Sequence, residues 1–453
     1  MALSSRALLL LLLGPAGGLA LACAVRSRGA ASRPAGLEVE VRSCYVGSGA
    51  CRACHPRLFE AWSRSLHSTM ERIADSSSVV GDFGGRTLAF EDGARAEMSA
   101  REGRFFVRTN DATGRVAEYR VLRTIGHVFK QRYVTENGDG NEYVLPVQWN
   151  VRGARWDAYP GPTEPFAPAK GSWASPANAW ERNCAGCHVT GLEVAVEGPL
   201  FRERYVELGL GCESCHGPGR AHVESPETPG LAVHPARLSF ERQVDLCARC
   251  HSRGEAGPAE GAPGEGFHYP CAFLPGEALA ARFRIVEPEI GKKTKHFWPD
   301  GASSSHHQQA HDFRRDPHFT KGGMVCTSCH DPHQRARYGG LREDPRDNSL
   351  CLDCHTRRRE DLTSHTHHRA DSRGSVCIDC HMPRLVENGN PFELRSHTRW
   401  RPDPAKAMAL GMPDACTLCH KDRTQAWAAS LVNSWKFGEP TTDPGIRYPA
   451  APK

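Results

Sequence analysis

Cys326-Thr-Ser-Cys329-His330, Cys351-Leu-Asp-Cys354-His355 and Cys377-Ile-Asp-Cys380-His381 repeat one five-residue pattern within a single short stretch of the chain. The same Cys-x-x-Cys-His pattern occurs five more times, at Cys51/Cys54/His55, Cys184/Cys187/His188, Cys212/Cys215/His216, Cys247/Cys250/His251 and Cys416/Cys419/His420. Structural zinc and disulfides also use paired cysteines, but neither demands a histidine directly after the second one. Histidine makes up 23 of 453 residues, so its presence after all eight pairs is not chance. The pattern is that of c-type haem attachment. Two thiols form thioethers to the porphyrin, and the adjacent histidine ligates iron from the proximal side. Numbered in chain order, these are sites 1 to 8, and the expectation is eight covalent haem c groups.

The amino terminus fits that chemistry. Arg6 precedes the apolar run Ala7 to Leu13, and Ala20-Leu21-Ala22 has the form of a cleavage site. This reads as a signal peptide over residues 1–22, with an apolar run too short to span a bilayer. Covalent haem is attached outside the cytoplasm, so export and haem motifs support each other. Cys23 is either the lipidated cysteine of a bacterial lipoprotein or the first residue after ordinary cleavage. The expected location is the periplasm, or the outer membrane or cell surface if Cys23 carries lipid. Membrane attachment is expected only through that lipid.

The formal net charge of +5 does not make the chain a nucleic-acid binder. Two propionates on each of eight haems take the total to about −11, and many arginines are read as propionate partners. No nucleic-acid partner is expected.

Residues 23–43 form a linker, 44–80 the first haem segment, 81–165 a β-rich subdomain, 166–436 a seven-haem region and 437–453 an irregular tail. Pro56 is suited to a helix start, and Leu58, Phe59, Trp62, Leu66, Met70 and Ile73 recur at helical spacing, which puts His67 on that helix. Between His55 and Cys184, β-rich runs flank Asn110–Gly114 and Asn137–Gly140, the signature of hairpins. From Cys184 onward the first cysteines are 28, 35, 79, 25, 26 and 39 residues apart. Segments this short cannot build separate apolar cores, so haems are expected to fill the interior. Gly254 to Gly266 reads as an exposed loop and Arg423 to Phe437 as a last helix. The expected fold class is mainly α with extensive loops wrapped around stacked haems, plus a small antiparallel β subdomain between sites 1 and 2. Cys44 and Cys271 lie outside the motifs and either pair as a disulfide, if they are close, or stay free.

The sixth iron ligand separates an electron carrier from an enzyme. Beyond the eight proximal histidines, 15 remain, enough to close all eight irons, whereas methionines are too few. Bis-histidine ligation is the default, favouring low potentials. His67, His222, His333, the cluster His365/His367/His368 and His397 sit where a ligand is expected, with His127, His306, His307, His311 and His318 as further candidates. Met382 follows site 7 and is read as packing.

Tyr45-Val-Gly-Ser-Gly-Ala-Cys-Arg-Ala-Cys-His55 followed by Trp62 and Ser65-Leu66-His67 resembles the opening of a bacterial multihaem cytochrome family. That family is related to the tetrahaem cytochrome c that accepts electrons from hydroxylamine oxidoreductase in nitrifiers. Leu145–Asn150, Trp180–His188, Cys212–Gly219, Cys326–His333, Cys377–Pro383 and Ala415–His420 extend the resemblance over roughly 44–436. It implies closely packed, predominantly bis-histidine haems, a periplasmic location and electron transfer between redox partner proteins. It also favours His67, His222, His333 and His397 as distal ligands. The chain lacks the tetratricopeptide repeats of many relatives, and it lacks the Cys-x-x-Cys-Lys haem of related nitrite and tetrathionate reductases. The expected function is therefore octahaem electron transfer with no catalytic residue. The alternative is a multihaem oxidoreductase acting on a small nitrogen or sulfur compound at one open haem.

Overall fold

The computed structural model describes residues 41–111, 114–159, 173–257, 266–334, 339–387, 394–398 and 401–435. The signal segment, Cys23 and the tail from 437 lie outside the described residues.

The fold corrects the mainly α expectation. Helix accounts for 30 % of residues and strand for 23 %, and the β region is not small. Helix α1 spans Pro56–Trp62. Nine strands follow: β1 Glu71–Ile73, β2 Gly84–Ala89, β3 Arg95–Arg101, β4 Arg104–Asn110, β5 Val116–Arg120, β6 Arg123–Ile125, β7 Lys130–Glu136, β8 Glu142–Asn150 and β9 Arg155–Ala158. They form a five-stranded sheet ordered β1-β6-β7-β8-β9 and a four-stranded sheet ordered β2-β3-β4-β5, antiparallel throughout. Later in the chain α2, Phe240–His251, and α3, Gln425–Ser434, are the two helices of ten or more residues among those described. The remaining helices are short because the motifs themselves fold as single turns, as at Ala185–His188, Glu213–His216 and Cys377–His381. Each is stopped at once: Glu213–His216 by Gly217 with a φ of 75°, Cys377–His381 by Pro383, and Ala185–His188 by the strand Val189–Thr190.

His67 is not on the helix that starts at Pro56. That helix stops at Trp62, and Ser65 begins a new turn, Leu66–Thr69, by accepting from the Ser68 amide at 3.2 Å. Such a serine cap competes with helix continuation. Gly254–Ala256, expected in a loop, is a strand paired with Phe283–Ile285, and residues 258–265 lie outside the described residues. Cys44 is disulfide-bonded and Cys271 is a free, buried thiol, so the two do not pair.

The sheets enclose the largest apolar core, with Met98, Tyr133, Tyr143, Leu145 and Trp180 fully buried. Phe83 packs edge-on against Tyr133 and Trp156 at centroid distances of 5.1 and 5.2 Å. Within this core sits a buried charge cluster. Arg123 Nε donates to Glu71 Oε1 at 2.8 Å, its terminal nitrogens bond Glu142 and approach Glu203 at 3.9 Å, and its guanidinium lies 4.4 Å above the Trp180 ring. Trp180 stands four residues before Cys184, so the cluster ties the five-stranded sheet to site 2. The later apolar clusters are small, for example Leu246, Ala248, Phe273, Leu279, Phe283 and Ala310. Between them runs a cavity of about 3560 Å³, lined by the histidine of every one of the eight motifs. Among the described residues no helix is long and apolar enough to cross a membrane.

Candidate haem sites

Seven of the eight motif histidines face a second imidazole across the cavity. His55 faces His222 at a centroid distance of 6.4 Å, His216 faces His333 at 6.2 Å and His251 faces His67 at 6.4 Å. His330 faces His397 at 6.4 Å and His355 faces His318 at 5.9 Å. His381 faces His365, and His420 faces His368, each at 6.0 Å. Two metal–imidazole bonds of about 2 Å, plus the distance from each nitrogen to its ring centre, sum to roughly 6 Å. Each gap therefore fits one iron, with room for the porphyrin plane between the rings. The residues present fit haem at these seven sites on geometry alone.

The motif thiols sit beside these gaps, with one exception. Both cysteines of sites 2 to 8 line the cavity, Cys329, Cys354 and Cys380 among them, and so does Cys51 of site 1. Cys54 departs from the expectation: it is exposed and does not line the cavity. The local backbone explains this. A helical turn, Ser48–Cys51, ends at Cys51, and residues 52–54 continue as a turn toward Pro56. Cys51 lies within hydrogen-bonding reach of Cys212 of site 3, whereas Cys54 is exposed. Cys419 of site 8 is exposed too, but still lines the cavity.

The rings are oriented by their other nitrogen, as metal-binding imidazoles generally are. His216 Nδ1 bonds the Val233 carbonyl at 2.9 Å and His330 Nδ1 the Gly339 carbonyl at 3.2 Å. Across the cavity the partner often lies two residues upstream. His318 Nδ1 meets Asp316 at 2.7 Å, His333 Nδ1 meets Asp331 at 3.3 Å, and His397 Nδ1 meets the Arg395 carbonyl at 3.1 Å. Each arrangement leaves Nε2 for iron. Burial lowers the pKa of His67 to about 4, with His251 adding to the shift, which keeps that ring neutral and its lone pair available.

All four distal candidates favoured by sequence thus face a motif histidine. His67 faces site 4, however, not the site 1 motif just before it. The favoured set lacked His318, His365 and His368. A signal for His318 was present: Asp316-Pro317-His318 repeats the Asp331-Pro332-His333 that follows site 5. Within the 365–368 cluster, His367 turns aside with a positive φ of 56° and stacks on Trp435 at 4.1 Å. His311 is engaged elsewhere, since its Nε2 accepts from the Arg253 amide at 2.9 Å.

Sulfur contacts order the sites in space. Cys51 lies within hydrogen-bonding reach of Cys212, Cys187 of Cys250, Cys247 of Cys326 and Cys351 of Cys377. Cys250 also acts electrostatically on Cys215, and Cys419 on Cys380. The order is 1–3–4–5 and 6–7–8, with site 2 attached to site 4. His318, which faces site 6, lies just before site 5, and its carbonyl accepts from the Met324 amide at 2.9 Å.

Site 2 differs from the others. His127 and His268 line the same cavity, but among the described residues no ring contact pairs either of them with His188. The Nδ1 of His188 faces not a carbonyl but the buried Glu71 carboxylate at 3.5 Å. Burial lowers the His188 pKa to about 4, and the neighbouring Arg132 and Arg123 push in the same direction.

A shared interior lined by repeated thiol pairs and facing imidazoles defines a multihaem c-type cytochrome. Comparison with known proteins agrees. Residues 168–217 match the family described as cytochrome c554 and c-prime, and residues 318–360 match the doubled CXXCH motif. The multiheme cytochrome MtrA of Shewanella baltica is 28 % identical over 228 residues, covering 48 % of this chain and 65 % of that protein. Cytochrome c-554 of Nitrosomonas europaea is 29 % identical over 93 residues, covering 18 % and 40 %. In both cases the match spans less than two thirds of the relative's length. The crystal structure of the outer cell wall cytochrome OcwA shares the fold, with a TM-score of 0.63, 22 % identity and coverage of 86 % and 87 %. The chain is similar to multihaem c-type cytochromes related to the nitrifier cytochrome, and its motifs are those that hold covalent haem c.

Proposed function

We propose that the chain carries eight haems, seven of them closed by two histidines, and conducts electrons along them between redox partner proteins outside the cytoplasm. The seven imidazole pairs 5.9 to 6.4 Å apart carry this reading. An iron closed on both faces exchanges electrons without binding substrate. The thioether sulfurs sit at the porphyrin edge, so sulfur contact between motifs brings successive rings edge to edge. The resulting runs are 1–3–4–5 and 6–7–8, with site 2 as a branch at site 4, and His318, which lies just before site 5 and faces site 6, joins them into one path. Its two ends are the sites with an exposed motif thiol, Cys54 and Cys419, which suits them to exchange with partners. The distal ligands in this reading are His222, His333, His67, His397, His318, His365 and His368, for sites 1 and 3 to 8 in that order. The amino-terminal signal segment supports export, which haem attachment also requires.

Denaturing mass spectrometry of the mature protein tests the loading. Eight haem additions are expected, and a smaller number in fully matured material overturns the octahaem reading. Magnetic circular dichroism of the oxidised protein tests the ligation, with bis-histidine signatures expected at seven irons.

A further inference from the structure

Site 4 is set apart by the residue just before its second cysteine. Arg249 holds that place, whereas Asp353 and Asp379 hold it at sites 6 and 7, and no charged residue holds it at the other five.

Arg249 lies inside the array. It stands near the end of α2, lines the shared cavity, and has its guanidinium carbon 6.0 Å from the centre of the buried Phe273 ring. The Cys187 thiol of site 2 approaches its carbonyl oxygen at 3.9 Å, and its side chain lies within hydrogen-bonding reach of Cys250. Its charge acts on Cys250, Cys215 and Cys187, thiols of sites 4, 3 and 2, and on His67, the imidazole that faces His251. Among the described residues it has no ion-pair partner. Thioether sulfurs mark one porphyrin edge and propionates hang from the opposite edge, so the propionates of these three sites point away from it. A guanidinium stays charged at any ordinary pH, and in a water-poor interior its field is weakly screened. A fixed positive charge favours the ferrous form of a nearby iron, because reduction adds an electron.

The ring planes mark the same iron independently. Facing imidazoles are inclined by only 2 to 29° at sites 1, 3, 5, 7 and 8. They cross at 80° at site 4 and at 70° at site 6. Parallel imidazoles overlap the same iron orbital and split it from its partner, which stabilises a ferric ion with one hole in that set. Crossed imidazoles overlap one orbital each, so the ferric ion loses that stabilisation and the potential rises. The near-degenerate orbitals also give the oxidised iron an unusually large principal g value. Site 6 lacks the favourable charge. Asp316 lies behind its His318 at 2.7 Å, and a carboxylate there raises ligand basicity and favours the ferric form. At site 4, His251 Nδ1 meets the neutral Gln309 Oε1 at 3.1 Å.

We infer that Arg249 and the crossed His67–His251 pair give site 4 the highest potential of the seven paired sites, so that an electron entering the array comes to rest at the junction with sites 2, 3 and 5. This rests on the reading that the pairs hold haem iron. Arg249 is then a positioning residue: it ligates nothing and sets where charge is held.

The test is a redox titration of the complete holoprotein followed by electron paramagnetic resonance. The oxidised protein is expected to show two signals of large principal g value, of which His67→Ala removes the one from site 4. In the wild type that signal is expected to be the first of the paired-site signals lost on reduction, ahead of the one from site 6. Arg249→Gln is expected to keep eight haems and the shape of the signal. It should shift the ferric-to-ferrous ratio at a fixed potential about tenfold toward ferric, which is about 59 mV for a one-electron couple. Arg249→Lys is expected to restore most of that shift. If Arg249→Gln does not mature, the order of reduction in the wild type decides. A site 4 signal lost after that of site 6, or an unmoved midpoint in Arg249→Gln, overturns the inference while the octahaem reading stands. Absence of any large-g signal that depends on His67 overturns the pairing of His67 with His251, and the inference with it.

Discussion

His67→Ala is expected to turn one low-spin iron high-spin, and that iron is the one at site 4, not the one at site 1. His67 faces His251 at 6.4 Å, while His55 of the nearer motif faces His222. Removing one of two axial ligands opens a position to carbon monoxide, so uptake should rise by one haem per chain over the wild type. The effect on conduction should also be large, because sites 2, 3 and 5 all meet at site 4. His367→Ala is the control: its ring stacks on Trp435, and its loss should leave every iron low-spin that was so before. An unchanged electron paramagnetic spectrum in His67→Ala removes His67 from the ligand set.

Arg123→Met is expected to destabilise the β region by about 3–5 kcal/mol, the usual cost of stripping one partner from a buried ion cluster. Glu71 has no exposed side-chain surface, and Glu142 and Glu203 are mostly covered. Without the guanidinium three carboxylates share one dry pocket. Burial, with neighbouring carboxylates adding to it, already raises the carboxyls of Glu71 to about 8 and Glu203 to about 9, against the pull of Arg123. A lowered denaturant midpoint, followed by tryptophan fluorescence, measures the loss. A midpoint equal to that of wild type means the cluster contributes nothing net.

What could be read from sequence was what is written in contiguous residues. The thioether pairs and their proximal histidines are local chemistry, complete within five positions. Which thiol ends up at the surface is not local: Cys54 and Cys329 hold the same place in their motifs, yet Cys54 is exposed and Cys329 lines the cavity. The β4–β5 and β7–β8 hairpins follow from the turn residues Asp111 to Gly114 and Asn137 to Gly140, because a tight turn is also a local event. The partner of a given iron is not local either. His67 reaches site 4 because the chain folds back after Ser65, and nothing in the spacing of Leu66 and Met70 signals that break. Glu71 looks like an ordinary surface acid in Met70-Glu71-Arg72, and only strand pairing with β6 carries it inside beside His188. The mainly α expectation failed because helical phase was extended across residues that belong to separate turns and strands.

The imidazole pairs interleave along the chain: 55 with 222, 67 with 251, 216 with 333, 330 with 397, and 368 with 420. With an iron held in each pair, as proposed above, each would be a cross-link between distant segments, comparable in kind to a disulfide. Because the spans overlap from His55 to His420 without a gap, no cut anywhere between them leaves every cross-link whole. Shortened versions cannot be trimmed to a self-sufficient half. In that reading a haem attached at His55 during export would complete its coordination only once residue 222 has followed.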